Sequence, residues 1–260
     1  MKIEKDTHLF NFTFYIFNLI PHGTVFASPK SLFLSQSRTM KYFLACFGLL
    51  FLLNSCVDIF DEIIVHSNGS GTYKYSVNLS ASKVKINSIL ALDSIDGQKV
   101  PSLDEIKNKI AFYKDKLDQK EGISNVTVDA NYDDFIFKFS CDFTSVAALQ
   151  NAVRDIVKEE SRDKNNPLYN ESWLSWDGKQ LVRSIPAFQP PLNRLKAEDQ
   201  EELKKGKYIT VSRFDKPVAK CDNATAQISP TKTAVMVKAS TFAVAQNPTL
   251  LKNTVTLENP

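Results

Sequence analysis

Past residue 60 the chain switches repeatedly between two hydrophobic periods. Apolar residues alternate with polar ones in Thr72–Leu79 and in Phe135–Phe143, which is typical of strands with one buried face. In Asp104–Gln119 and Ser145–Lys158 the apolar residues instead recur along one helical stripe. Strands and helices mixed in this way predict an α+β fold, an antiparallel sheet of hairpins with helices packed mainly on one face.

Three short polar segments predict the hairpin turns of that sheet. They are "SNGSG" at 67–71, "NYDD" at 131–134 and the dipeptide Asp177-Gly178, a favoured two-residue turn. The capping-box spacing of Ser102 and Glu105 predicts the start of a helix. Further elements are predicted as a helix at Leu195–Lys205 and strands at Ile63–His66, Tyr208–Phe214, Ala234–Lys238 and Thr254–Leu257. Residues 81–92 fit neither period clearly.

The most apolar run of the chain, Phe43–Leu53, precedes this region. Its eleven residues are about half of what a helix needs to cross a bilayer. It also lacks the polar stripe of a helix packed at a domain surface. Lys41 before it and Asn54-Ser55-Cys56 after it complete the three regions of a secretory signal peptide.

The cleavage region Leu53-Asn54-Ser55-Cys56 resembles the lipobox of bacterial lipoproteins: an aliphatic residue, a small or polar one, a small one, then cysteine. The resemblance implies that Cys56 is diacylated on sulfur, becomes the mature N-terminus and attaches the protein to a membrane through its acyl chains. Plain secretion and a structural helix are the alternatives. A lipoprotein signal begins at its own methionine, and Met40 fits that position.

The sequence therefore predicts four segments. Residues 1–39 are an over-extension of the reading frame, the alternative being that Leu9–Ile20 is a second weak signal or an ordered extension. Residues 40–55 form the signal peptide and 56–62 a tether. Residues 63–260 form the α+β domain, with a subdivision near 165–190 left open.

Location follows from the residues after the cysteine. In enterobacterial lipoproteins an aspartate there favours the inner membrane, whereas this chain has Val57, so we expect a bacterial outer-membrane lipoprotein. The acidic stretch "VDIFDE" (57–62) loosely resembles export signals of surface lipoproteins, so the periplasmic and the surface face both stay open.

Charge removes one class of partner. The full chain has a formal charge of +3, but residues 1–55 hold five basic and two acidic residues, which leaves 27 of each in 56–260. A neutral mature chain carries no electrostatic footprint for polyanions, so we expect no nucleic-acid partner.

Catalytic and metal-binding patterns are weak. His66 is the lone histidine after residue 55, no G-x-S-x-G motif occurs, and the glycines after residue 55 all punctuate predicted turns. Asp129, Asn131 and Asp133 match the start of a calcium loop, but Asp134 and Ser140 occupy the places of its Gly and Glu. We expect no enzyme, no cofactor and no metal site.

A few residues carry weaker hypotheses. Cys141 and Cys221 either form a disulfide or stay as two free, inert thiols. Ser94, in "DSI", resembles a short O-glycosylation motif of exported bacterial proteins. Trp173 and Trp176 fit a core or cross-strand pair better than a carbohydrate platform.

The order of a hairpin with "NGSG", a helix, "EGISNV", a Phe-rich strand and a covering helix resembles uncharacterised envelope lipoproteins over about residues 60–160. More distantly it is similar to LppM-like lipoproteins, which implies an association with lipid. Two functions stay in play: a tethered module that binds an envelope protein or component, and a carrier or sensor of an apolar ligand. A solid core behind Phe135–Phe143 favours the module, and a large apolar pocket there favours the carrier.

Overall fold

The computed structural model describes residues 57–95, 98–160, 172–185 and 197–258. The strands are β1 Asp58–Val65, β2 Gly71–Asn78, β3 Ser94–Ile95, β4 Gln98–Lys99, β5 Ile123–Asn131, β6 Ile136–Phe143, β7 Leu174–Trp176, β8 Gln180–Arg183, β9 Lys207–Phe214, β10 Val218–Cys221, β11 Gln227–Ile228, β12 Ala234–Ser240 and β13 Asn253–Leu257. The helices are α1 Lys83–Leu90, α2 Leu103–Asp118, α3 Val146–Glu160, α4 Ala197–Lys205 and α5 Thr241–Gln246, and short 3₁₀ turns occupy Ser80–Ser82 and Pro248–Leu251.

Two sheets and a small hairpin organise these strands. The large sheet has the order β11-β12-β9-β1-β2-β6-β5, the second sheet has the order β10-β13-β8-β7, and β3 pairs with β4. Among the described strands every pairing is antiparallel except that of β1 with β9, which run parallel in the middle of the large sheet. The α+β prediction is confirmed, but the sheet is mixed rather than purely antiparallel. The parallel pair joins residues too distant in sequence for a hairpin signal to reveal it.

One face of the large sheet, the inner face, carries the core. Helices and the second sheet cover it, and their apolar side chains form two main clusters with it. The inner-face residues of the five central strands are Val235, Val237 and Ala239; Tyr208, Thr210, Ser212 and Phe214; Ile59, Asp61, Ile63 and Val65; Tyr73, Tyr75 and Val77; and Phe137, Phe139, Cys141 and Phe143.

The tether prediction is wrong for residues 58–62. These residues form the first part of β1, which pairs with β2 on one side and β9 on the other. The acidic residues that suggested a solvated segment are held by arginines from elsewhere. Asp61 pairs with Arg183, and Glu62 pairs with Arg213. The folded domain therefore begins next to Cys56 and not at residue 63.

Of the region near 165–190, where a subdivision was left open, the structure describes residues 172–185, and these belong to a core shared with the rest of the described chain. The first core cluster combines Ile63 and Val153, which precede that region, with Leu181 inside it and Val255 after it. Strands β7 and β8 join the C-terminal β13 in the second sheet, so they are built into the same core.

The local predictions for helices agree with the structure. Ser102 caps α2: its hydroxyl accepts a hydrogen bond from Glu105 N at 3.1 Å, and the Glu105 carboxylate accepts one from Ser102 N at 2.8 Å. The stripe predicted for Ser145–Lys158 forms α3, whose buried residues face β6 and the second sheet. Residues 81–92, ambiguous from the sequence, contain α1.

Candidate functional site: the Val57 end of the sheet and its inner face

Val57 is the first described residue and it is already fixed in the fold. It is 6% exposed, and the Thr241 hydroxyl donates a 2.8 Å hydrogen bond to its carbonyl. Gly206 lies against the same peptide, because a Cβ on that glycine would come within 2.4 Å of Val57 O. The predicted lipidation site Cys56 lies outside the described residues, as do segments 1–39 and 40–55. A single peptide bond joins Cys56 to Val57.

We call the end of the large sheet at which this residue lies the Val57 end. The strands that begin or finish there do so at Asp58, Asn78, Asn131, Ile136, Lys207 and Ser240. At the opposite end of the sheet, the Gly71 end, the strands begin or finish at Val65, Gly71, Ile123, Phe143, Phe214 and Ala234. Eight-residue strands such as β1 separate the two ends by about 25 Å.

Three lysines lie in the segment that contacts Val57, and the neighbouring Asp58 carboxylate accepts a 2.9 Å hydrogen bond from Lys207 N. Lys204, Lys205 and Lys207 flank Gly206 in sequence, and all three are exposed. The Lys204 ammonium lies 5.3 Å from the centre of the Phe242 ring and 2.5 Å from Glu201 Oε1. The segment "KKGK" thus places three cations at the point where the chain leaves the described domain.

The Phe-rich strand is packed into the core. Phe137, Cys141 and Phe143 are 6%, 0% and 3% exposed, and Phe139 is half-buried against the first cluster. The strand begins at Ile136, one residue later than predicted, because Phe135 belongs to the turn, with φ of 53° and a carbonyl that accepts from Leu79 N at 3.0 Å. The inner-face side chains thus serve as packing for helices and for the second sheet.

The side chain of Arg183 connects the two sheets. Arg183, on β8, is 1% exposed, and its Nη2 lies 2.6 Å from Asp61 Oδ1 on β1. Its Nη1 donates to Val211 O at 2.8 Å and to the Ser212 hydroxyl at 3.1 Å, and Nη2 donates to Asp61 O at 2.9 Å. The guanidinium therefore ties the second sheet to both β1 and β9.

Burial dominates the protonation of this cluster. It raises the pKa of Asp61 above the ordinary value, while the charge of Arg183 and the hydrogen bonds from Tyr73 and Arg183 act in the opposite direction. The pKa of Tyr73 is raised well above its usual range by burial and by the Asp61 carboxylate. Sequence reasoning missed this cluster, since Asp61 lay in the presumed tether and its partner is 122 positions away.

The other face of the large sheet, the outer face, is only partly covered. Phe60, Ile64, Ile209 and Met236 are half-buried there and lie outside the three core clusters. They surround Glu62, whose carboxylate lies 2.5 Å from Arg213 Nε and 3.9 Å from Lys74 Nζ. This surface thus combines apolar side chains with a small ion-pair network.

Cys141 and Cys221 are free thiols in the structure. Cys141 lies on β6 of the large sheet, whereas Cys221 ends β10 of the second sheet and packs, partly buried, against the first core cluster. Burial raises the pKa of Cys141 to about 12, and the neighbouring Asp142 adds to the effect. Burial also raises the pKa of Cys221.

We expect alkylation of the native protein at pH 8 to modify Cys221 slowly and Cys141 hardly at all, because thiolate is the reactive form. Intact mass should therefore show at most one adduct in the native state and a second adduct after unfolding in guanidinium. If the two residues formed a disulfide, neither would react in the unfolded protein until a reductant was added.

The remaining candidate residues occupy ordinary structural positions. Trp173 is buried and Trp176 packs against Phe214, so the core interpretation of the pair is confirmed. Ser94 is exposed on β3. His66 is exposed in the β1–β2 turn, where its backbone N–H donates to Ser70 O at 2.8 Å.

The calcium-like segment forms the β5–β6 turn, as predicted. Asn131 accepts from Asp134 N at 2.9 Å, and Asp129 pairs with Lys138 at 3.1 Å. Within the described ranges, no group of three or more His, Cys, Asp or Glu side chains is placed to hold a metal ion. Among the helices of the same ranges, none combines the length and hydrophobicity needed to cross a membrane.

No protein-family profile matches the chain, and no curated protein matches it in sequence. Among solved structures, the chain is similar to the NMR structure of the folded domain of LppM from Mycobacterium tuberculosis. The TM-score is 0.37 with 8% identity, over 80% of this chain and 93% of that one. The similarity is too distant to carry an argument about function.

Proposed function

We propose that the protein is a bacterial envelope lipoprotein, anchored through acyl chains on Cys56, that serves as a non-enzymatic binding or structural module. One observation carries the proposal: the lipobox cysteine stands directly before the first residue of the described fold. A mature chain that starts at Cys56 retains all of β1, so removal of residues 1–55 takes no residue from the described strands and helices. Two or more acyl chains give stable rather than reversible attachment.

A non-enzymatic role is supported by how the charged groups are used. Asp61 and Arg183 are buried against each other, and His66 lies in an exposed turn. The perturbed pKa of Asp61 thus has a structural cause, the burial of an ion pair that joins two sheets. The outer face offers a partner the half-buried side chains Phe60, Ile64, Ile209 and Met236.

The carrier hypothesis is less well supported. It requires the Phe-rich strand to line a cavity, whereas Phe137 lies in the second cluster with Val77 and Leu79, and Phe143 lies in the first with Val146 and Leu149. These contacts favour the module. The outer membrane is the proposed location, because Val57 follows the cysteine.

Metabolic labelling with palmitate tests the anchor. We expect wild type and Cys56→Ala to differ completely in label, because the thiol of Cys56 is the proposed attachment point. Cys46→Ala is the matched control: it also removes one cysteine but leaves the lipobox intact, and it should label like wild type. Translation from Met40 should give the same mature protein.

Intact mass of the mature protein supplies the second readout. It should correspond to residues 56–260 plus the acyl groups. Unlabelled wild type, or a mature N-terminus at another residue, would contradict the proposal.

A further inference from the structure

We propose that the Val57 end of the large sheet lies directly on the bilayer surface, with the "KKGK" segment at anionic lipid headgroups. The inference rests on the proposed acylation of Cys56 and adds to it an orientation and a lipid preference. It says which surface of the domain contacts the membrane.

The first step is the absence of slack between anchor and domain. The acyl chains would be held on Cys56, and Val57, the next residue, is buried with its carbonyl bound by Thr241. Consecutive Cα atoms are about 3.8 Å apart, so an anchor on Cys56 cannot lie far from the Val57 end. A flexible tether would let the domain tumble, but this connection does not.

The second step is charge. Lys204, Lys205 and Lys207 are exposed beside the attachment point, on both sides of the glycine that contacts Val57. Glu201 pairs with Lys204 there, and the exposed Asp58 carboxylate accepts a hydrogen bond from Lys207 N. Exposed lysines close to an anionic membrane surface are attracted to it, and the attraction adds up over neighbouring lysines. Phe242, partly buried below Lys204, adds an apolar side chain at the same end. The occupant that suits this surface is a bilayer with acidic headgroups.

The third step concerns what stays accessible. The outer face extends along the strands from the Val57 end to the Gly71 end. If the Val57 end of the sheet lies on the bilayer, the strands point away from the bilayer and the outer face does not lie against it. The Gly71 end would lie about 25 Å from the surface, since β1 and β9 each span eight residues.

Lipid quenching of a fluorophore tests the orientation on the full acylated protein. Lys207→Cys and Lys216→Cys place the label just at the start and just beyond the end of β9, with the same loss of charge. Both are made with Cys221→Ser, and Cys141 is protected by its complete burial. The protein is reconstituted in phosphatidylcholine vesicles that contain phosphatidylglycerol and a headgroup-linked quencher.

We expect quenching at position 207 to exceed that at position 216 several-fold. Insertion of a flexible Gly/Ser linker of about 20 residues between Cys56 and Val57 should abolish the difference, since such a linker spans about 25 Å. Omitting phosphatidylglycerol should reduce quenching at position 207.

Equal quenching at the two positions in the acylated protein with its native spacing would overturn the orientation alone. Persistence of the difference after linker insertion would overturn the first step, the lack of slack, and would leave the lysines as the cause of the orientation. Intact mass of the same sample separates this failure from that of the proposed function: a protein without acyl groups would overturn both.

Discussion

Replacement of Arg183 with methionine is expected to lower the free energy of unfolding by about 3–5 kcal/mol, measured by urea denaturation. The side chain is 1% exposed and provides the cation for Asp61 as well as donors for Val211 O and the Ser212 hydroxyl. Methionine has a similar volume, so the loss comes mainly from a buried carboxylate left without its partner.

Arg213→Met is the matched control. Arg213 pairs with Glu62 at 2.5 Å, and although the Glu62 side chain is only 9% exposed, Arg213 is 51% exposed and Lys74 Nζ, 3.9 Å from the same carboxylate, remains as a second cation after the substitution. We expect a loss of about 1 kcal/mol or less. Similar losses for the two variants would show that burial is not what makes the Arg183 pair important.

A double-mutant cycle isolates the pair. Asp61→Asn removes the charge but keeps an acceptor oxygen for the Tyr73 hydroxyl. The cycle of Asp61→Asn, Arg183→Met and the double variant should show a coupling energy of about 1–3 kcal/mol. Each single substitution leaves one charged side chain of the pair without its partner. Additive losses would mean that Arg183 acts through its bonds to Val211 O, Asp61 O and the Ser212 hydroxyl and not through the Asp61 carboxylate.

The pH dependence of the Arg183→Met variant follows from Asp61. Burial already raises the pKa of this carboxyl, and removal of the cation removes an influence that lowers it. The folded state then binds a proton at pH values where the unfolded chain, with a pKa of about 4, has released it. Stability of the variant should therefore fall as pH rises from 4 towards 7, and its deficit relative to wild type should be smaller near pH 4.

Local patterns gave correct expectations for several elements whose conformation is determined by their own residues. The capping box of Ser102 and Glu105 starts α2, the stripe from Val146 to Val157 forms α3, and the alternation in Phe137–Phe143 identifies the inner face of β6. Each of these signals lies within one helix or strand. Such signals also placed the turn at Asp177-Gly178.

Partners that are distant in sequence explain what could not be predicted. Asp61 and Glu62 look like residues of a solvated tether until Arg183 and Arg213 are known to meet them, 122 and 151 positions later. The parallel pairing of β1 with β9 is equally non-local. Acylation of Cys56, by contrast, rests on a local motif, and for that reason it could be proposed from the sequence.

The two glycines of "NGSG" are required for different reasons, one local and one non-local. Gly69 has φ of +82°, so its place in the turn follows from backbone conformation. Gly71 was expected to be a turn residue as well, but it is the first residue of β2 and pairs with Val65 and Phe143. A Cβ there would lie 1.8 Å from Ile64 O and 2.8 Å from the tip of the Phe143 ring.

Gly71→Ala is therefore expected to destabilise the protein by about 3 kcal/mol, at the upper end of the usual range for overpacking. The sign is informative, since alanine in an unstrained position would stabilise by about 0.4–1 kcal/mol through the unfolded state. Ser76→Ala, on the outer side of the same strand, controls for the introduction of alanine into β2 and should change little. Urea denaturation of both variants measures the difference.

The two obstacles at Gly71 can be separated. Phe143→Leu removes the ring tip but leaves the Ile64 carbonyl, which is the nearer atom and belongs to the backbone of β1. We therefore expect Phe143→Leu to rescue little of the loss caused by Gly71→Ala. Substantial rescue would mean that the ring is what excludes a side chain at residue 71. Little or no rescue would mean that the close approach of β1 and β2 requires glycine at residue 71. The position of Val57, at the other end of the same hairpin, depends on this approach.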